Sequence, residues 1–302
     1  MQRAQDAREL PTYSHYNMPL MSRSNVLLLT ALAMLAFAGN SLLCRLALAG
    51  TTIDAGTFTA VRIVSGALTL WIIVQFRSGA GGLAGTWASA AALFAYAAGF
   101  SLAYINLSAA TGALLLFGAV QATMIGYGFW NGDRLRGWQI VGFACAVLGL
   151  VALLLPGLTA PPLHSAALMV GAGIAWGIYS LRGRGAGDPT SATAGNFVRA
   201  VPFAAALSLV MLSRFSVDVA GVSYAIASGA LTSGLGYAIW YTALRGLKAT
   251  SAATVQLSVP VLATIGGALL LGEHVTMRIV IASVAILGGI ALVILNRARV
   301  SG

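Results

Sequence analysis

Charged side chains are scarce in this sequence, because aspartate, glutamate, lysine and arginine together make up only 8% of its 302 residues. Soluble domains carry about 25% charged residues. A chain this poor in charge cannot cover its whole surface for water, so most of that surface must face lipid. Cysteine is also rare: Cys44 and Cys145 lie in separate apolar runs, a placement that favours two core thiols over a disulfide or a metal site.

Acidic residues and histidines are missing from the middle of every apolar run. All seven acids and all three histidines fall in predicted tails, loops or helix ends. Serine–histidine, zinc and aspartyl chemistry would each lack a partner inside the membrane. We therefore predict no enzyme activity, no metal site and no cofactor, and an intramembrane enzyme stays a remote alternative. The same absence argues against a side-chain proton relay, so we expect the substrate to move down its own gradient.

Apolar residues make up 59% of the chain and are gathered in ten runs. A membrane-spanning helix needs about 20 mostly apolar residues, whereas the strands of a membrane barrel alternate over about ten. The sequence therefore predicts an all-α integral membrane protein with ten transmembrane helices, at residues 25–48, 56–77, 84–105, 108–130, 136–156, 165–182, 191–213, 219–244, 249–271 and 276–297.

The basic residues predict how these helices are oriented. Twelve of the 17 lysines and arginines lie on the same side as the N-terminus, three lie on the other side, and Arg62 and Arg199 fall within spans. Positive loops stay in the cytoplasm, which predicts a bacterial inner-membrane protein with cytoplasmic tails at 1–24 and 298–302. The net charge of +10 is then explained by orientation and contact with anionic lipid. Nucleic acid is not an expected partner, because no contiguous basic face is present.

An internal repeat with a period near 139 residues divides the spans into two groups of five. Three matches carry it: Ala110–Ala113 with Ala249–Ala252, Gly132-Asp133 with Gly272-Glu273, and Val147–Leu153 with Ile286–Leu292. The units are predicted at 25–156 and 165–297. An odd number of spans means that the second unit enters the membrane from the opposite side, as in transporters that work by alternating access around a midplane site. Duplication without functional consequence is the alternative.

The ends of both units resemble a known family. The second unit has Ala249–Ala252, then Gln256–Val261 with Pro260, then Leu271-Gly272-Glu273, and in these segments it is similar to the EamA-type domain of the drug/metabolite transporter superfamily. The first unit keeps Gly132-Asp133 but has Gln121 near the position of the proline. Within the superfamily the chain looks most like the YddG-type amino-acid exporters. The resemblance implies ten helices in inverted repeats and export of aromatic or other neutral amino acids.

The charge-poor interior also limits the substrate. A strongly cationic substrate would favour a buried carboxylate, and none is seen, whereas a zwitterion needs only neutral dipoles, helix ends and one arginine. An aromatic side chain would need an aromatic-lined cavity. We expect an exporter of small zwitterionic metabolites, neutral or aromatic amino acids among them. A drug or other-metabolite exporter is the alternative, and a monomer is the favoured oligomeric state.

Candidate site residues are the polar and aromatic side chains at mid depth. Buried amides are costly without partners, so they are predicted to face the interior, where they bind substrate or cross-link helices. Aromatic residues could instead belong to the interfacial belts. The predicted substrate-binding set is Asn40, Gln121, Trp176, Tyr179, Tyr237, Trp240 and Gln256.

Four further residues are predicted to be structural or to take part in gating: Arg62, Arg199, Gly177 and Pro260. Each arginine either pairs with a substrate carboxylate, or instead reaches the interface or caps carbonyls of a neighbouring helix. Their symmetric positions near the interfaces favour the second interpretation. Glycines permit close helix packing or bending. A proline in mid-span frees a carbonyl and kinks its helix.

Overall fold

The computed structural model describes residues 22–77, 82–132, 137–155, 160–183, 187–247 and 249–300, with the side chains of 249, 250 and 296–300 excepted. Regular structure in these ranges is helical. The helices are α1 Arg23–Gly50, α2 Ala55–Phe76, α3 Trp87–Tyr104, α4 Ala109–Trp130, α5 Trp138–Leu154, α6 Leu163–Arg182, α7 Pro189–Val210, α8 Val219–Leu244, α9a Ala249–Gln256, α9b Ser258–Leu271 and α10 Met277–Val300.

The prediction of an all-helical membrane protein is confirmed. Within the described ranges, nine helices are long and apolar enough to cross a membrane. The predicted span at 136–156 corresponds to α5, which has 17 residues. At 1.5 Å per residue this helix is about 26 Å long, which is still within the range of membrane helices. Observed and predicted bounds agree to within three residues. Most of the predicted N-terminal tail lies outside the described residues, and α1 already begins at Arg23.

The four described acidic residues that the sequence assigned to loops or span ends bind helix N-termini. Asp54, Asp188 and Asp218 accept hydrogen bonds from the first free N–H groups of α2, α7 and α8. Glu273 accepts one from the backbone of Ala109 at the start of α4, 2.8 Å away. The free N–H groups and the positive end of a helix dipole both favour a carboxylate. These acids therefore stabilise helix ends.

The helices of each predicted five-helix group pack largely against helices of the other group. Helix α1 packs against α8 and α9b, and α6 correspondingly packs against α3 and α4. Helix α2 packs on α7, and α5 packs on α10. Corresponding helices of the two groups thus have corresponding packing partners, as expected for two related halves. The unit boundaries at 25–156 and 165–297 stay predictions.

Three local features differ from the predicted spans. Helix α7 ends at Val210 and is followed by a 3₁₀ turn, Leu212–Arg214, where the prediction continued the span to 213. The ninth span breaks at Leu257, three residues before Pro260, because proline cannot supply the N–H that would continue the helix. Helix α8 contains a π-helical stretch, Ser228–Leu235, which the sequence did not indicate.

Candidate functional site

A cavity lies between α1, α3 and α4 of the first half and α6, α8 and α9a of the second. It contains about 430 Å³ of atom-free space, part of which is open to solvent. Six aromatic rings and four polar side chains make up most of its wall: Phe37, Tyr96, Phe100, Phe117, Trp176 and Tyr237, and Asn40, Ser41, Thr232 and Gln256. Apolar walls with a few placed polar groups are typical of small-molecule sites.

Asn40 is the polar centre of this wall. Its Nδ2 donates to Tyr96 Oη over 3.2 Å, and its Oδ1 accepts from Ser228 Oγ at 2.7 Å and from Thr232 Oγ1 at 3.2 Å. The side chain is 5% exposed, so these bonds supply the partners that a buried amide needs. Asn40 therefore connects α1 to α3 and α8 and also faces the cavity.

The π-helical stretch of α8 brings two of these partners to Asn40. Ser228 and Thr232 both fall within Ser228–Leu235, and both hydroxyls point at the same amide oxygen. π-helical turns are rare and are frequent at functional sites. Gly229, in the same stretch, lies so close to the backbone of Arg62 that an added Cβ would collide with it. The altered helical register thus lets α8 pack tightly on α2 and present hydroxyls to α1.

A stack of aromatic rings forms the side of the cavity contributed by the second half. The Trp176 ring lies 5.2 Å from that of Tyr237 and 5.3 Å from that of Tyr179, with interplanar angles of 24° and 29°. Tyr96 of the first half approaches Trp176 at 4.8 Å. Trp176 thus joins rings from both halves, and it offers an aromatic surface to a bound molecule.

The predicted substrate-binding residues divide into two groups in the structure. Asn40, Trp176, Tyr237 and Gln256 line the cavity. Gln121, Tyr179 and Trp240 do not, although they are buried. The Tyr179 hydroxyl donates to Thr193 at 3.2 Å, and Trp240 packs edge-on to Phe37 at 6.0 Å. All three lie one turn further along their helices than a wall residue, and Tyr179 and Trp240 pack against wall rings from behind.

Sequence reasoning missed several wall residues, chiefly Phe37, Tyr96, Phe100 and Thr232. Tyr96 and Phe100 lie in an alanine-rich span, and Tyr96 has alanine on both sides. Tyr96 gains its role from Asn40 and Arg62, which are 56 and 34 residues away. A signal was present only in the i, i+4 spacing of Tyr96 and Phe100, which places both rings on one face of α3.

The two intramembrane arginines behave differently. Arg199 Nη1 donates to the carbonyls of Ala84 and Gly195 at 2.8 and 3.0 Å, as the capping interpretation predicts. For Arg62 that interpretation is wrong. Its side chain is 2% exposed, and its Nη2 donates to Tyr96 Oη at 3.0 Å, because α3 and α8 enclose this face of α2 and block a path to the interface.

The remaining predicted residues have packing roles in this conformation. Gly177 faces α4, where an added Cβ would lie 2.8 Å from the Cβ of Thr123. Pro260 follows the break between α9a and α9b at Leu257. Gln256, the residue before this break, lines the cavity. No group of three or more histidine, cysteine or acidic side chains that could hold a metal ion occurs among the residues described above.

Polar contacts close the bundle on the predicted outer side of the cavity. Arg45 Nε lies 3.0 Å from Glu273 Oε1, and its Nη1 donates to the carbonyls of Tyr104 and Ile105 at 3.1 and 3.0 Å. Gly272 ends α9b in the left-handed conformation, at φ +63°, which suits glycine and turns Glu273 back over the helix end. One ion pair thus ties α1, the α3–α4 loop and the end of α9b together.

A second set of contacts joins the halves on the predicted cytoplasmic side. Arg77 Nη1 donates to Thr190 Oγ1 at 2.9 Å, and Arg182 Nε donates to Ser89 Oγ at 3.2 Å. Asn196 Oδ1 accepts from the backbone N–H of Thr86 at 2.9 Å. These bonds connect α2 and the start of α3 with α6 and α7.

Comparison with known proteins agrees with this architecture. Residues 164–295 match the model of the EamA-like transporter family. The chain is 57% identical over 278 residues to the uncharacterized protein PA1977 of Pseudomonas aeruginosa, covering 92% of this chain and 97% of that one. A protein of known crystal structure shares the fold, with a TM-score of 0.64 at 20% identity over 92% of this chain and 100% of that one.

More distant similarity links the chain to proteins with a named activity. The threonine/homoserine exporter RhtA of Escherichia coli K12 is 34% identical over 146 residues, and that of Salmonella typhimurium LT2 is 33% identical over 150. These matches span about half of each protein, 46% of this chain and 48% of the first, 47% and 50% for the second. Residues 164–295 carry the EamA-like transporter domain, and the chain belongs to the EamA-like transporter family.

Proposed function

We propose that the protein exports small zwitterionic metabolites, neutral or aromatic amino acids among them, across the bacterial inner membrane by alternating access. The observation that carries the proposal is the position and chemistry of the cavity. Three helices of each half form its wall, so the cavity lies between the halves. Transporters built from inverted repeats bind their substrate at such an interface.

The wall chemistry favours a neutral amino acid over other metabolites. Trp176, Tyr237 and Tyr96 offer aromatic surfaces for an apolar side chain, while Asn40, Thr232 and Gln256 offer neutral dipoles for the charged ends. The cavity wall contains no acidic side chain, so a strongly cationic substrate would lack a partner there. The distant similarity to threonine/homoserine exporters also supports an amino-acid substrate.

Transport is proposed to be facilitative. Proton-coupled carriers move protons through intramembrane carboxylates or histidines. Among the described residues, the acids sit at helix N-termini in the connections and the histidines lie at helix ends or in loops. We expect the working unit to be a single chain, because both halves of the site come from one polypeptide.

The test is flux in proteoliposomes that contain the purified full-length protein. Labelled phenylalanine, leucine and threonine are loaded singly, and efflux is followed with the pH and sodium gradients collapsed and against protein-free vesicles. We expect saturable efflux of at least one of the three. If none moves while a panel of lipophilic drugs does, the alternative drug-export function is correct. If efflux stops when the ion gradients are collapsed, transport is coupled and not facilitative.

A further inference from the structure

Arg62 is a buried cation for which the described part of the chain supplies no anion. Its side chain is 2% exposed, and no carboxylate of the described residues lies within ion-pair distance of it. The acid nearest to it in sequence, Asp54, is occupied by the N–H groups of Gly56, Thr57 and Ser216. Burying a charge without a partner costs several kcal/mol, so this arrangement calls for a compensating group.

The existing contacts satisfy only part of the guanidinium. Nη2 donates to Tyr96 Oη at 3.0 Å, and Cζ lies 5.3 Å from the ring centroid of Tyr96 and 4.9 Å from that of Phe100. Nη1 is buried and has no hydrogen-bond partner. Aromatic faces attract a cation but do not accept the in-plane N–H bonds of Nη1. One edge of the fork therefore remains free for an oxygen acceptor.

Arg62 does not itself line the cavity, and Tyr96 connects it to the cavity wall. Its hydroxyl oxygen accepts one hydrogen bond from Arg62 and another, at 3.2 Å, from Asn40 Nδ2. A phenol that accepts twice still has its own proton to donate, and no described residue accepts it. The ring lines the cavity. Tyr96 thus has a donor to offer beside an arginine that also lacks an acceptor.

We infer that Arg62 and Tyr96 form the subsite for a carboxylate group of the substrate. A carboxylate beside Tyr96 accepts the tyrosine proton with one oxygen and faces Nη1 of Arg62 with the other. The opposite charge compensates the buried guanidinium, and the aromatic rings around it exclude water. This inference rests on the proposed function for the identity of the substrate. It adds one requirement, which is that the substrate carries a carboxylate.

The counterpart of Arg62 shows why the subsite is present once. Arg199 occupies the related place in the second half, but its Nη1 is engaged by two backbone carbonyls. Among the described residues, no aromatic ring contacts it as Tyr96 and Phe100 contact Arg62. The asymmetry fixes the carboxylate end of the substrate on the α2–α3 side of the cavity, and the side chain then extends toward Trp176 and Tyr237.

The test measures binding separately from flux. The melting temperature of the purified full-length protein in detergent is recorded with phenylalanine, leucine or threonine, with the carboxamide of each, and with 3-phenylpropionate, which has a carboxylate and no amine. We expect stabilisation by 3-phenylpropionate and at least one amino acid, and at least ten-fold weaker apparent affinity for the matching carboxamide. Equal stabilisation by acid and amide, or none by any carboxylate, overturns the inference.

Variants assign the discrimination to the arginine. Arg62→Gln is expected to abolish the preference for acid over amide, and Arg62→Lys to retain part of it. Arg214→Gln, which removes a positive charge from an exposed turn, is expected to behave as wild type. An Arg62→Gln protein that melts cooperatively and still prefers the acid contradicts the inference. If Arg62→Gln does not fold, Arg62→Lys decides. An undiminished preference of that variant for the acid then contradicts the inference.

The two proposals fail in different ways. Carboxylate-selective stabilisation without flux of any amino acid contradicts only the proposed function. Amino-acid flux that the carboxamides inhibit as strongly as the acids contradicts only the carboxylate subsite.

Discussion

Arg45 and Glu273 form an ion pair of 3.0 Å across 228 residues of sequence, and it joins the first helix of one half to the connection before the last helix of the other. Glu273 also holds the N-terminus of α4 through Ala109, and Arg45 also holds the carbonyls at the end of α3. Four helices therefore meet at one pair of charges. Because the pair is partly buried, its loss releases several contacts at once.

Weakening this ion pair is expected to open the predicted outer side. Glu273→Gln keeps an acceptor for Ala109 but removes the charge that Arg45 binds. Cys44, fully buried next to Arg45, reports the opening in a Cys145→Ser background. We expect its labelling by a membrane-impermeant maleimide on intact cells to rise several-fold. His274→Gln changes an exposed neighbour in the same loop and is the control. An equal rise of labelling in that variant, or no rise in Glu273→Gln, would contradict the role of the ion pair in closing the predicted outer side.

Removing the Asn40 amide is expected to impair transport strongly. Asn40→Ala leaves Tyr96, Ser228 and Thr232 without their shared partner and loosens the contact between α1 and α8. We expect kcat/KM for efflux to fall at least ten-fold, which corresponds to about 1.4 kcal/mol. Thr30→Ala is the matched change in the same helix, because Thr30 bonds its own backbone at Val26. Wild-type efflux by a correctly folded Asn40→Ala protein would show that the site lies elsewhere.

The aromatic stack is expected to select for the side chain of the substrate. Trp176→Ala removes the ring that joins Tyr96 to Tyr237. Aromatic contacts contribute about 0.5–1.5 kcal/mol beyond area burial, so the KM for phenylalanine is expected to rise several-fold more than the KM for threonine. Trp71→Ala, in which a half-exposed residue of α2 is changed, is the comparison. Equal effects on both substrates would mean that the ring has only a packing role.

The close approach of α8 to α2 gives a stability prediction. An alanine Cβ at Gly229 collides with the backbone oxygen of Arg62 and with Ser65 Oγ. Overpacking of this kind costs about 1–3 kcal/mol, so Gly229→Ala is expected to lower the melting temperature in detergent by several degrees. Gly171→Ala meets nothing within 4 Å and is expected to melt as wild type. Equal melting of both variants would contradict the tight packing of the π-helical stretch.

Acid is expected to destabilise the predicted outer connections. Desolvation raises the pKa of Asp54, but hydrogen bonds from Thr57, Ser216 and Gly56 outweigh it and hold that pKa below its usual value. A hydrogen bond from the Gly221 N–H likewise lowers the pKa of Asp218.

A carboxyl whose pKa is depressed in the folded state adds stability above its unfolded pKa, about 3.9, and that stability is lost as the pH falls through the folded pKa. The melting temperature is therefore expected to drop below about pH 4. It is expected to drop less in the Asp54→Asn, Asp218→Asn double variant. Parallel pH curves for the two proteins would contradict the assignment.

The sequence predicted the helices well because a chain in the hydrocarbon of a membrane must pair its own backbone N–H and C=O groups, which leaves few structures other than helices. Long apolar runs, short polar breaks and the capping residues determine where each helix begins and ends. The break at Leu257 was foreseeable from Pro260, whereas the π-helical stretch was not, because nothing local in Ser228–Leu235 requires it. That stretch coincides with the close approach of Gly229 to α2, which is a tertiary contact.

The site was predicted only in part, because a sequence does not show how far along each helix the cavity extends. Helix α4 is apolar nearly all round, and Gln121 lies one turn beyond Phe117, which does line the cavity. Asn40 and Trp176 were recognisable as unusual residues in apolar surroundings. Tyr96 and Arg62 could not be paired in advance, because their relation depends on the packing of α3 against α2.

The pairing of α2 with α7 and of α5 with α10 has a consequence for the origin of the molecule. In each pair, a helix meets its own equivalent, so the contact between the halves is of the isologous type found in two-fold symmetric dimers. Gly142 and Gly289 bring the backbones of α5 and α10 together and fasten that contact at the periphery. A contact of this type is what two equivalent half-chains would form with each other, as the predicted units at 25–156 and 165–297 imply.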